Sequence, residues 1–431
     1  MELLEYAALT AGQQEQALQR PSQATDAQVR EAVAAIIAAV RRDGDAALMD
    51  YARSLDHFEG DHLELTAEER EAACGRVDRK LRKAINAAHR NIRQFHAAQD
   101  GEQVRMETVR GITCEVHTHP IDSVGLYVPG GSAPLISTAL MLAVPAHIAG
   151  CPEIIMCSPP PVADAIIYAA TRAGVTRIFS LGGAQAVAAM AYGTASVPRV
   201  VKIFGPGNQY VTMAKRMVSE EPGGAAIDMP AGPSEVLVIA DRHANPDYVA
   251  ADLLAQAEHG PDSQVMLLSD DRGLLQRADE AVAEQLPQLP RAEIARRALS
   301  HSRAILCRDL EECAMLSNRY APEHLILQIR RPRSLLRLIR NAGSVFLGAY
   351  TPEALGDYAS GPNHTLPTYG FARSASALGT NDYRRRYTVS CATRRGLSGI
   401  GSIVETLAQA EQLQAHRNSI SLRLRDLQAG R

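Results

Sequence analysis

The sequence has 431 residues, of which 46% are hydrophobic and 22% charged, with a net charge of -3 at neutral pH. That length suggests two or more domains, and the balance is that of a soluble enzyme rather than of a partner for nucleic acid or an anionic membrane. The seven cysteines are dispersed and form no C-x-x-C pair, which points to reduced thiols in a cytoplasm and away from a disulfide framework or a cysteine-based zinc site.

In chain order, Met1 to Leu18 is polar and mildly acidic and lacks the basic and apolar regions of a signal peptide. Residues up to about Phe95 read as helices. Val29 to Val40 is apolar at helical spacing, and Thr66-Ala67-Glu68-Glu69 is a capping box that opens a segment ending near His96. The longest apolar run, Pro134 to Cys151, is broken by Pro145 and His147 and is too short to span a bilayer.

From Ile112 the period changes. Val124 to Val128, Ile154 to Cys157, Arg177 to Ser180, Val200 to Phe204, Val236 to Ala240, Val265 to Ser269, Ala304 to Cys307, Leu325 to Ile329 and Ser344 to Leu347 read as strands, most of them followed by a helical segment. This alternation predicts an α/β protein with parallel sheets covered by helices, and so many strands predict two such units. After about Asn381 the pattern becomes a helical tail, with Glu411 and His416 on it.

Several stretches could carry chemistry. Tyr127 to Ser132, Leu181 to Gln185 and Phe204 to Asn208 each follow a strand with a glycine turn that opens a helix, the arrangement that presents backbone N–H groups to an anion. None of them is G-x-G-x-x-G, so a dinucleotide would have to bind in an atypical way. Gln256 and His259 share one face near the end of a helix that Gly260-Pro261 stops, and they could supply half of a metal site. Glu323-His324 stands at a strand entrance and suits general acid–base work; in extended chain the two side chains point apart, which favours two separate proton-transfer roles. Gly356 to His364 is a loop bearing Asp357 and His364. For each stretch alone a plain structural role competes: a tight turn, a polar loop or a solvated helix face.

The motifs Gly125 to Gly131, Phe204 to Asn208, Asp228 to Ser234, Gln256 to Pro261, Ala321 to Leu325, Ala359 to His364 and Ala415 to Asn418 together resemble those of the histidinol dehydrogenase family, in order and over essentially the whole chain. The resemblance implies two incomplete Rossmann-like parallel-sheet domains. One is formed by 22–126 with 236–378 and the other by 127–235, with an N-terminal helical segment over 1–21 and a C-terminal helical tail over 379–431 used in dimerisation. It implies one zinc ion per subunit on Gln256, His259, Asp357 and His416, and NAD+ held by Tyr127, Gln185 and Asn208. Ser234, His364 and Glu411 would line the L-histidinol pocket together with the zinc ligands and with Glu323 and His324. In the implied reaction the alcohol is oxidised through the aldehyde to the acid by two NAD+. His324 takes the hydroxyl proton and Glu323 activates the water that hydrates the aldehyde. The implied assembly is a cytoplasmic homodimer with active sites shared between subunits.

Three rival readings differ in testable ways. A related zinc- and NAD-dependent dehydrogenase of another polyol, such as a sulfonated diol, would not want the negative charge of Glu411. A thiol-based aldehyde dehydrogenase would need Cys151 or Cys157 as nucleophile, but both flank a short strand with no paired histidine, and packing is the better reading. A two-lobed binding protein with a structural zinc would leave Glu323 and His324 idle and reduce no NAD+.

Overall fold

A computed structural model describes residues 1–21, 26–99, 104–130, 134–229 and 232–429. Its strands are β1 (Glu2–Glu5), β2 (Arg105–Val109), β3 (Ile112–Pro120), β4 (Ser123–Tyr127), β5 (Glu153–Ser158), β6 (Arg177–Ser180), β7 (Lys202–Phe204), β8 (Ala226–Ile227), β9 (Glu235–Ala240), β10 (Gln264–Ser269), β11 (Arg303–Leu306), β12 (His324–Gln328), β13 (Ser344–Leu347) and β14 (Arg384–Ala392). Every run read as a strand from Val124 onward forms one, as β4 to β7 and β9 to β13. β4, β9, β10 and β12 are buried at each residue. Their apolar centres, with polar residues only at the ends, are what strands covered on both faces require.

The chain divides into two compact units, residues 1–99 with 121–383 and residues 100–120 with 384–431. The first unit is α/β and holds two parallel sheets, ordered β6-β5-β4-β7-β8 and β1-β11-β10-β9-β12-β13. Apart from β1, each sheet follows the same doubly wound path, in which the chain leaves a central strand, builds two strands to one side and then crosses to the other. The path reverses between β4 and β7 in one sheet and between β9 and β12 in the other, and such switch points open a crevice beside the strand ends.

The helix Ile136–Ala149 explains the long apolar run. It buries eleven of its fourteen residues, so it is apolar all round because it is central, not because it spans a bilayer. No helix among the described residues is long and apolar enough to cross a membrane. The helices between residues 26 and 97 pack on the helices that cover the five-stranded sheet, and their apolar stripes join its cores. Val33, Ile37 and Leu48 meet Phe179 and Val187, and Ile85 and Ile92 meet Leu126 and Leu142. The resemblance groups 22–126 with 236–378; in the structure the helices between residues 26 and 97 share their cores with β4 to β7.

The N-terminus also departs from the expected helical segment. Glu2–Glu5 is a strand that pairs in parallel with β11, and a helix over Ala11–Ala17 follows, opened by a capping box of Thr10 and Gln13. A four-residue strand has almost no signal of its own; the edge of an existing sheet supplies its partners. The second unit is an antiparallel sheet ordered β14-β3-β2, joined to the helices Arg394–Ala410 and Gln414–Gln428. Arg384–Ala392 is polar and mostly exposed, so a purely helical reading of the tail passes over β14.

Candidate active site

Glu323 and His324 sit at the amino end of β12, beside the first residue of β9. The chain reaches them through Ala321, a residue with a side chain held in the left-handed region at φ 56 and ψ 67, which costs about 1–2 kcal/mol. Both are buried, at 7% and 3% exposure. Glu323 Oε2 accepts the backbone N–H of Glu235 at 2.8 Å and the Gln256 amide at 3.3 Å. His324 Nδ1 lies 3.2 Å from the Glu235 carbonyl. A carbonyl only accepts, so Nδ1 carries the proton and Nε2 is the basic nitrogen. Nε2 is buried without a hydrogen-bond partner, 3.3 Å from Asp357 Oδ1. The two side chains do not diverge as an extended strand would have them: Glu323 Oε2 is 3.6 Å from His324 Nδ1, because Glu323 belongs to the corner and both residues turn back to the Glu235 backbone.

The helix Pro246–Ala257 ends where the Gly260-Pro261 signal predicts. Gln256, in its last turn, is fully buried. Its Nε2 donates to Glu323 Oε2 at 3.3 Å, which leaves Oε1 buried and without a partner. His259 lies just past the helix end and is exposed. Its ring, Asp357 and Glu353 bring one donor atom each within 4.8 Å of one another. Glu353 and Asp357 are one turn apart on the short helix Glu353–Tyr358, so both carboxylates fall on one face. The sequence reading missed Glu353; its only signal is this four-residue spacing.

The electrostatics fit a cation. Burial works against ionised Asp357, but the imidazoles of His324, His364 and His259 hold it below the usual carboxylate range. Glu353 is raised, by burial first and then by Asp357 and Glu323, and its Oε2 is buried and unpartnered. Burial would lower His324, yet Glu353, Glu323 and Asp357 together raise it well above its ordinary value. An orphaned amide oxygen, an orphaned carboxylate oxygen and an exposed imidazole beside that excess of carboxylates form a donor set suited to zinc.

His364 donates from Nδ1 to the Asp357 carbonyl at 3.0 Å, and its Nε2 lies 3.2 Å from the Thr138 hydroxyl. Burial lowers its pKa, so Nε2 accepts from Thr138. Thr138 belongs to the helix that follows β4, and this bond brings that helix to the loop carrying His364. Ser234 is half-buried immediately before β9, its carbonyl taken by the Gln264 N–H at 3.1 Å.

Tyr127 and Gln185 meet at the carboxyl ends of β4 and β6. The Tyr127 hydroxyl accepts the Gly183 N–H at 3.0 Å, and burial raises the pKa of this phenol. Gln185 Nε2 donates to Asp56 at 3.1 Å, while its Oε1 is buried without a partner. Asn208 caps the helix Gln209–Glu220 through Oδ1. The glycine turns are not bare anion cradles: Gly182 donates to Asp56, Gly183 to Tyr127, and Gly205 to Asp228 at 2.7 Å. Glycine is nonetheless required at 183 and 205. Both have positive φ, and a Cβ would lie 2.5 Å from Gln185 Oε1 in the first case and 2.1 Å from the Tyr127 carbonyl in the second. The first turn runs on into residues 131–133, and the Asp228 to Ser234 motif includes 230–231; both stretches lie outside the described residues.

Glu411 and His416 belong to the second unit. Both are exposed; Glu411 closes the helix Arg394–Ala410, and the His416 carbonyl takes the Ser419 hydroxyl at 2.7 Å. Neither Cys151 nor Cys157 is placed as a nucleophile. Burial pushes Cys157 up to about 12, and Cys151 is buried with its thiol 3.6 Å from the Tyr383 carbonyl.

A sequence profile described as histidinol dehydrogenase matches residues 18–424. The chain is 53% identical over 436 aligned positions to a histidinol dehydrogenase of Shewanella oneidensis, covering 99% of this chain and 100% of that one. It is 52% identical over 425 positions to one of Salmonella typhimurium, covering 99% and 98%. A crystal structure of histidinol dehydrogenase from Elizabethkingia anophelis superposes with a TM-score of 0.96 at 44% identity, over 99% of both chains.

Proposed function

The chain belongs to the histidinol dehydrogenase family, an NAD-dependent oxidoreductase family, and we propose that it performs the last steps of histidine biosynthesis with one zinc ion per subunit. L-Histidinol is oxidised through L-histidinal to L-histidine, and two NAD+ are reduced. The reaction balances as R–CH2OH + 2 NAD+ + H2O giving R–COO− + 2 NADH + 3 H+. The observation that carries this reading is the convergence of two proton carriers with a set of metal donors: His324 Nε2 stands 3.3 Å from Asp357 Oδ1, in the cluster with His259 and Glu353.

His324, held by the Glu235 carbonyl through Nδ1 with Nε2 turned toward Asp357, removes the hydroxyl proton as hydride leaves for the first NAD+. Glu323, its Oε2 tethered to the Glu235 N–H, takes a proton from the water that adds to the aldehyde carbon. The hydrate then gives up the second hydride. When bound, zinc supplies positive charge that orients the substrate nitrogens and offsets the surrounding carboxylates. Gln256 Oε1, His259, Asp357 and His416 would hold it, with Glu353 beside His259 and Asp357. Ser234, His364 and Glu411 line the substrate pocket, where Glu411 receives the cationic end. Tyr127, Gln185 and Asn208 contact NAD+; the unpartnered Gln185 Oε1 is an acceptor suited to a cofactor donor. The enzyme works in the cytoplasm as a homodimer. No observation favours a sulfonated diol as substrate.

The test is the stoichiometry. Zinc-loaded protein is expected to reduce two NAD+ per L-histidinol and to lose turnover on chelation. Glu323→Ala is expected to stall after the first NAD+, and His324→Ala to lose both. One NAD+ per substrate in the unaltered protein, or equal loss of both half-reactions in Glu323→Ala, overturns the reading or the division of roles respectively.

A further inference from the structure

Arg20 follows the first helix and is remote in sequence from every group in the site, yet its guanidinium ends beside the corner that carries Glu323 and His324. Nε and Nη2 grip the two carboxylate oxygens of Glu235, Nη2 at 2.9 Å from Oε2. Nη2 also reaches the backbone carbonyls of Tyr320 at 2.9 Å and Ala321 at 3.3 Å. The guanidinium carbon lies 3.9 Å from the centre of the Tyr320 ring. Glu235 is 2% exposed, and its backbone N–H and carbonyl are the groups that hold Glu323 Oε2 and His324 Nδ1.

Arg20 therefore fixes this corner from both sides. It anchors the side chain of the residue whose backbone aims the two proton carriers, and it engages the carbonyl of Ala321, whose left-handed conformation persists only where its surroundings enforce it. A planar fork with several donors and a stackable face can do this; a lysine ammonium cannot form the same set.

We propose that Arg20 is a positioning residue for the oxidation, setting the Glu323–His324 pair through Glu235 and Ala321. The proposal rests on the reading of Glu323 and His324 as the proton carriers. Its test uses the full-length, zinc-loaded protein with Arg20→Lys and Arg20→Ala, recording kcat, KM for L-histidinol and for NAD+, metal content and Tm.

Misplaced carriers would lower kcat by about 10- to 100-fold, as outer-shell and positioning losses do. KM should stay within about threefold and metal content unchanged, since the guanidinium touches no ligand that binds either. Arg20→Lys keeps the charge and decides the matter if Arg20→Ala fails to fold. A lysine variant with unaltered kcat overturns the proposal. So does a loss of kcat matched by equal changes in KM and metal content, which would mean general collapse of the site. If the unaltered protein fails to oxidise L-histidinol, the activity reading falls and this proposal with it. If it turns over normally and Arg20→Lys does too, only the positioning role falls.

Discussion

Asp252 shows how burial near the site is written into single residues. It is 5% exposed, one turn before Gln256 on the same helix, and it accepts the Gln328 amide at 2.9 Å. Burial pushes its pKa up to about 6 against that one hydrogen bond. The fold therefore favours the protonated form. Below pH ~4 both folded and unfolded states are protonated and nothing is lost; the penalty grows between pH ~4 and ~6 and is complete above, at about 3 kcal/mol or less. Asparagine at this position removes the charge, still accepts from Gln328, and brings a donor for Gln328 Oε1, which is buried without a partner. Asp252→Asn in metal-free protein is expected to match the parent near pH 4 and to unfold at higher urea near pH 8; equal stability at both pH values would mean that the carboxylate is solvated. At this scale the sequence was informative about Glu323, His324, Gln256 and His259, because they stand in short motifs at element ends. It was silent about Glu353 and Arg20, whose roles depend on neighbours that only the folded chain supplies.

At the scale of elements, the nine strands from β4 to β7 and β9 to β13 were legible because each has a short apolar run that a parallel sheet buries. β1, β2 and β14 were not, since they are short or polar and take their identity from the strand beside them. The glycine turns were legible as turns but not in their occupancy. The turn after β7 is held by Asp228, which takes the Gly205 N–H at 2.7 Å and pairs with Lys215. Lys215 Nζ in turn donates to the Gly205 carbonyl at 2.7 Å. The Lys215 and Asp228 side chains are 5% and 1% exposed. Removing one partner of such a pair strands the other charge, so Lys215→Met is expected to cost about 3–5 kcal/mol. Lys215→Met combined with Asp228→Asn should recover part of that. Urea unfolding measures both; a loss below about 1 kcal/mol in the single variant would show that the charge finds water and that the turn does not depend on the pair.

At the scale of the whole molecule, the donors fall into two groups. Gln256, His259, Glu353 and Asp357 lie in the first compact unit, while Glu411 and His416 lie in the second, exposed on a helical pair. That pair also exposes Ile403, Leu407 and Leu422, at 56%, 58% and 55%, apolar area that the proposed dimer would cover. If the second unit serves the partner's site, a subunit lacking Asp357 and a subunit lacking His416 complement each other. Each hybrid then has one site with both ligands and one with neither. Random pairing of equal amounts makes half the dimers hybrid, so about a quarter of the sites are intact. Asp357→Ala and His416→Ala, each inactive alone, should thus regain about a quarter of the parent activity after unfolding and joint refolding, with zinc recovered in proportion. If both ligands come from one subunit, every site in the mixture lacks one of them. The mixture then stays inactive even when subunit exchange is demonstrated, and His416 must be assigned to its own chain's site.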